Sequence, residues 1–193
     1  KIDDNYKKYL QGKDLKRFSF SKRDCFINFD VKKLHSNTDQ SVYEQSEKVL
    51  VRKTGNILIA SYDDSQFYTD QSIYNIYLKK DVKDFSLKYL CALLNAKVLN
   101  WYFNKKMITN ADVFPYIKGI HLKKLPIKKI SPEDQKLFID LVDQILMMTS
   151  ASDYDPKKPP SRQKELEAKI DELVFDLYEL TPEERDLVIN STK

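Results

Sequence analysis

Eight lysines lie between Lys97 and Lys129, at 97, 105, 106, 118, 123, 124, 128 and 129, against one acid, Asp112. Lysines gathered in this way can meet a polyanion. A second basic stretch, Lys13, Lys16, Arg17, Lys22 and Arg23 with Phe18 and Phe20 interleaved, reads either as stacking rings among phosphate-binding cations or as an edge strand with its charges outside. Catalytic constellations are missing. His35 and His121 are the only histidines, and neither has a Cys or carboxylate at metal-ligand spacing. There is no Gly-x-Ser-x-Gly run. Three glycines in the whole chain leave no Gly-rich turn to cradle a phosphate or a dinucleotide. Glu167-Ala168-Lys169 has the acidic-x-lysine ending of some nuclease sites, but it falls in a helical pattern with no strand before it. It reads as a solvated helix face. The residues describe a reader rather than a catalyst.

The charge distribution agrees. Residues 1–130 hold 25 Lys/Arg and 14 Asp/Glu, a formal +11, while residues 131–193 hold 8 and 15, or −7. A basic body favours polyanions, of which nucleic acid is the common one. No stretch of about 18 apolar residues is present, so no membrane-spanning helix is expected. Cys25 and Cys91 sit far apart in apolar runs, as buried thiols of a reducing cytoplasm do. The opening Lys-Ile-Asp-Asp-Asn is not a signal peptide, and the lack of an initial methionine reads as a cut fragment.

The lysines need a support. Leu87, Leu90, Leu94, Val98 and Trp101 recur three or four apart, so one helix from Leu87 to Phe103 is expected, capped by Ser86. Its apolar stripe would fix it to a core, and the chain would return through Phe114-Pro115-Tyr116-Ile117. Before it, Asn5 to Leu10 reads as a short helix or entry segment. Cys25 to Phe29 and Ser72 to Leu78 read as strands. Lys48 to Lys53 and Ile57 to Tyr62 form a hairpin around Thr54-Gly55-Asn56. After Ile130 the pattern is helical. Ser131-Pro132-Glu133-Asp134 starts a helix over 131–148, and residues 149–160 form a linker. Leu166, Ile170, Leu173, Leu177 and Leu180 then make a coiled-coil-like seam over 161–180. Thr181 and Glu184 box the start of a short helix over 182–190. The expected architecture is α+β. A β-rich body of mixed or antiparallel strands with a central packed helix (1–130) is followed by an acidic helical hairpin (131–193).

Several runs carry a resemblance. Tyr9-Leu10-Gln11-Gly12-Lys13-Asp14-Leu15, Val49-Leu50-Val51-Arg52-Lys53-Thr54-Gly55 and Leu90-Cys91-Ala92-Leu93-Leu94-Asn95-Ala96-Lys97-Val98-Leu99-Asn100-Trp101 occur in that order. Phe114-Pro115-Tyr116-Ile117-Lys118, Leu125-Pro126-Ile127 and Ile170-Asp171-Glu172-Leu173 follow. The ordered set resembles the TaqI-like C-terminal specificity domain of adenine-N6 DNA methyltransferases and of fused type IIG restriction-modification enzymes. The resemblance implies a non-catalytic target recognition domain for double-stranded DNA. It further implies an N-terminal methyltransferase domain of the same protein, which binds S-adenosylmethionine and acts on a flipped adenine. It implies no cofactor or metal in this chain, and a cytoplasmic, bacterial protein. The acidic tail would pack on protein while the basic body faces DNA.

Within that reading, phosphates are assigned to Lys105, Lys106, Lys123 and Lys124, with Lys22 and Arg23 on a neighbouring loop. Thr109, Asn110, Asp112 and Tyr116 share the turn beyond the helix, where Asn suits adenine and Asp accepts from cytosine. Arg52 suits guanine, with a pairing to Asp63 or Asp64 across the hairpin as the alternative. Two other functions fit the residues: a single-strand or RNA binder using the twelve tyrosines as stacking platforms, and a helix-mediated protein-interaction domain.

Overall fold

The computed structural model describes residues 5–21, 24–34, 38–107 and 116–191. Its centre is strand β5 (Lys48–Arg52), hydrogen-bonded antiparallel to β6 (Ala60–Asp63) on one side and to β8 (Ile73–Ile76) on the other. Successive side chains on a strand face opposite ways, and both faces of β5 are covered. Val49 and Val51 join the large core, with Ala60 and Tyr62 beside them. Leu50 turns to a smaller cluster of Leu10, Leu15, Ile59 and Ile73. A second sheet places β1 (Tyr6–Leu10) between β4 (Phe26–Asn28), antiparallel, and β7 (Tyr68–Thr69), parallel. The segment expected as a short helix or entry segment is therefore a strand. Its partners lie 18 to 59 residues away, beyond the reach of any local pattern.

β2 (Leu15–Lys16) and β3 (Ser19–Phe20) form a tight hairpin. Phe18 at its tip is buried with a φ of 55°, a left-handed conformation unusual for a bulky residue. Its neighbours hold it there. The Phe18 N–H donates to Ala60 O at 2.9 Å, and the Thr149 hydroxyl donates to Phe18 O at 3.3 Å.

The central helix is two helices. α2 (Leu87–Asn95) starts at Ser86, whose hydroxyl accepts from Lys88 N. It lies between the β5 sheet and α5 (Pro132–Ser150) and is buried nearly all round, so its stripe is only part of its apolar surface. Ala96 takes an extended ψ of 149°, and α3 (Lys97–Lys106) follows. Side chains far from the break explain it. The Asn95 amide brackets β6, accepting from Ala60 N and donating to Ala60 O. Asp171 accepts the first N–H of α3 at 2.8 Å and also pairs with the Lys97 ammonium. An N-terminus with its orphan donors satisfied from another helix tolerates the break.

Asn100 accepts from Leu58 N at 2.7 Å and thereby fixes the loop joining β5 to β6. The expected hairpin exists, but its connection runs over 53–59 rather than three residues: the Arg52 N–H still donates to Ile59 O at 3.1 Å, and beyond it Lys53 donates its N–H to Ser72 O and accepts from Ile117 N, so the chain turns to other partners.

Ser131 caps α5 through Asp134 N, and Gln135 ties that end to α2 by accepting from Ser86 N. α6 (Ser161–Leu177) and α7 (Pro182–Ser191) complete the chain, with the Thr181–Glu184 box in place. On α6 the buried stripe is Leu166, Ile170, Val174 and Phe175, with Leu173 and Leu177 half-buried at its edge. A straight helix advances at 3.6 residues per turn, so a seam written at 3.5 drifts by about 20° per heptad, and its later members Leu173 and Leu177 lie at the edge of the contact. Body and tail share one apolar core. Acids of the tail also meet bases of the body: Arg17–Glu167 at 3.0 Å, Lys88–Asp143 at 2.6 Å and Lys128–Glu179 at 3.0 Å.

Cys91 is fully buried in α2, and burial pushes its thiol up to about 12. Cys25 is free and half-buried. Under native conditions a maleimide or iodoacetamide reagent is expected to label Cys25 and to reach Cys91 only after denaturation. Equal labelling rates would show that the core opens.

Candidate nucleic-acid interface

The Arg52 end of β5 carries an unusual arrangement. The Arg52 Nε donates to Thr54 O at 2.8 Å, so the side chain folds back over its own loop. Gly55 makes this possible. It adopts a φ of +120°, and a Cβ at that position would lie 2.9 Å from Arg52 Nη2. Next along the chain, the Lys53 ammonium sits 4.3 Å from the centre of the Tyr74 ring. Arg52 and Lys53 are both half-buried, and among the described residues neither pairs with a carboxylate. Burial pushes the pKa of each down, with nearby Asp70 opposing the shift at Lys53. Two partly desolvated cations with no ion-pair partner among the described residues carry a cost in the free protein. An anion placed against them removes that cost.

The segment after the central helices closes on this loop. Ile117 N donates to Lys53 O at 2.7 Å, Thr54 and Tyr116 form an isolated antiparallel bridge, and the Tyr74 hydroxyl donates to Ile117 O at 3.1 Å. Burial first, and then the neighbouring Tyr116, raise the Tyr74 phenol. Of the expected return through Phe114-Pro115-Tyr116-Ile117, the described part, Tyr116 and Ile117, contributes a single bridge. A short helix not evident in the sequence, α4 (Gly119–Lys123), follows it. Its His121 ring packs edge-on against Phe103 of α3, with centroids 6.2 Å apart. Consequently α4 links the hairpin loop to the end of α3.

These contacts decide which expected residues come together. Lys105 and Lys106 are exposed in the last turn of α3, and Lys123 and Lys124 are exposed at the end of α4. Tyr116 is about half exposed, at 51%, beside the Arg52 loop. Lys22, Arg23, Thr109, Asn110 and Asp112 lie outside the described residues. Arg52 does not pair with Asp63 or Asp64. The register sets Lys48 opposite Asp63 at the far end of the strand, and those two form a fully buried pair at 2.9 Å. The lysine run also divides. Lys97 and Lys128 hold the helical tail, through Asp171 and through Glu179 and Leu177 O, so their charges are engaged within the protein.

Lys53, Thr54, Gly55 and Tyr74 were not among the expected site residues, although Lys53 to Gly55 belong to a run that carries the family resemblance. The turn glycine next to adjacent Arg and Lys was the available signal. Among the described residues no group of three or more His, Cys, Asp or Glu could hold a metal ion. No helix among them is long and apolar enough to cross a membrane.

An α+β body that presents unpaired cations on a loop, flanked by exposed lysines on two helix ends, defines a polyanion-recognition module. The chain belongs to the TaqI-like C-terminal specificity domain family, which matches residues 7–127. It therefore has a role in DNA recognition. A comparison with curated proteins gives no match. Among solved structures the chain is similar in fold to the Type IIL restriction-modification enzyme MmeI, determined in complex with DNA. The TM-score is 0.63 at 15% identity, over 97% of this chain and 30% of that one. The likeness includes the helices beyond residue 127, and the chain spans less than a third of that enzyme's length.

Proposed function

We propose that this chain is the target recognition domain of an adenine-specific DNA methyltransferase in a restriction-modification system, reading duplex DNA in the major groove. The observation that carries the reading is the pair of half-buried cations Arg52 and Lys53, without an ion-pair partner among the described residues, in a specificity-domain fold that also exposes Lys105, Lys106, Lys123 and Lys124. On this reading the helix-end lysines meet phosphates and set the register on the duplex. Arg52 and Tyr116, with Thr109, Asn110 and Asp112, meet base edges. Chemistry belongs to an N-terminal domain of the same protein that binds S-adenosylmethionine, and the role of this chain is to place the DNA. The protein works in the bacterial cytoplasm.

The single-strand reading is weakened by where the tyrosines go. Tyr43 and Tyr68 are buried and stacked on each other at 4.7 Å, while Tyr62 and Tyr89 are buried in the core. Rings packed in this way offer bases no platform. Competition binding separates the two readings. A duplex competitor is expected to displace a labelled duplex at lower concentration than single-stranded DNA or RNA of the same length. A preference for single strands would overturn the proposal.

A further inference from the structure

We propose that the Arg52–Lys53 dipeptide is a bipartite subsite: Arg52 reads one guanine and Lys53 takes an adjacent phosphate, with Gly55 as the positioning residue for Arg52. The inference rests on the duplex-reading function proposed above and deepens it. Arg52 ends β5 and Lys53 follows it outside the strand, and the two cations are held by different means. Arg52 is fixed through Nε by Thr54 O. That leaves the two terminal nitrogens with no acceptor among the described residues, and neither is among the buried unpartnered atoms found there. A guanidinium anchored at Nε with Nη1 and Nη2 free is a fork of one orientation, matched to guanine O6 and N7. Lys53 has no fork. Its ammonium rests over the Tyr74 ring, which itself is tethered through its hydroxyl to Ile117 O. A point charge with rotatable donors suits a phosphate and carries no sequence information.

Gly55 matters because any side chain there meets the guanidinium. A Cβ would stand 2.9 Å from Nη2, 3.8 Å from Cζ and 3.9 Å from Nε, and the φ of +120° resists substitution in its own right. Substitution at Gly55 therefore displaces the Arg52 fork without touching its charge.

The test is selection of binding sites from a randomised duplex pool by the full-length protein, with a salt titration of each variant on the selected duplex. Arg52→Lys keeps the charge and loses the fork. It is expected to reduce the guanine preference at one position by roughly 10- to 100-fold, while the salt slope stays at the parental value. Gly55→Ala should reproduce that loss at the same position. Lys53→Ala should select the parental sequence, bind every duplex more weakly, and lower the salt slope by about 0.9. If Gly55→Ala fails to fold, as judged by its circular dichroism and melting curve, Arg52→Lys and Lys53→Ala alone decide the assignment. An Arg52→Lys protein that selects the parental site, or a Lys53→Ala protein that changes the selected base with an unchanged slope, overturns the subsite. A parental protein that selects no duplex sequence overturns the specificity-domain reading and this inference with it.

Discussion

Lys48→Ala is expected to remove about 3–5 kcal/mol of folding stability, the largest effect of any single substitution at a polar residue here. The Lys48 and Asp63 side chains are completely buried and pair at 2.9 Å, opposite each other on β5 and β6. Lys48 Nζ also donates to Tyr43 O at 2.6 Å, and the Asp63 carboxylate accepts from Ser65 N at 2.9 Å and Phe67 N at 3.0 Å. The pair thus pins the Tyr43 turn and the turn after β6 to the same end of the sheet. Truncating the lysine leaves a buried carboxylate with two N–H donors and no counter-charge. Chemical denaturation should show the midpoint falling by roughly 1–2 M urea with little change in slope. Lys48→Met combined with Asp63→Asn should recover part of the loss, because the Asn carbonyl can still accept from Ser65 and Phe67. A midpoint shift for Lys48→Ala within a few tenths of a molar would mean that water reaches the pair.

Lys105→Ala together with Lys106→Ala is expected to weaken binding to every duplex by a similar factor. It should flatten the dependence of log K on log salt by about 1.8, near 0.9 for each phosphate that is no longer neutralised. Both lysines occupy the last turn of α3, whose buried residues Val98, Leu99 and Phe103 hold the helix in the core and leave its end at the surface. The melting temperature of the double variant should stay close to that of the parent. A loss confined to one DNA sequence would instead assign these lysines to base edges. No loss at all would move the phosphate path elsewhere.

How much of this was legible before the structure depends on the range of the interactions. The caps at Ser86, Ser131 and Thr181 were readable because each cap bonds within three residues. The β5–β6 pairing was readable because β-rich runs flanked a turn. The strand nature of Tyr6–Leu10 was not, since its partners are Phe26–Asn28 and Tyr68–Thr69. Nor was the break at Ala96, which depends on Asp171 from a helix 74 residues away. The same limit blurred the site. Counting lysines between 97 and 129 located the basic face, but Lys97 and Lys128 face the tail's acids, a fact only the tertiary fold supplies. Arg52 was singled out for its chemistry. Its anchor on Thr54 O and the room left by Gly55 are matters of backbone conformation that composition does not record.

The affinity of this chain for duplex DNA across a salt series tests the central claim most directly. An interface built on Arg52, Lys53 and exposed lysines at the ends of α3 and α4 predicts weak binding, micromolar or weaker, that falls steeply and linearly in log–log form as salt rises. Binding that stays the same between low and high salt would contradict it.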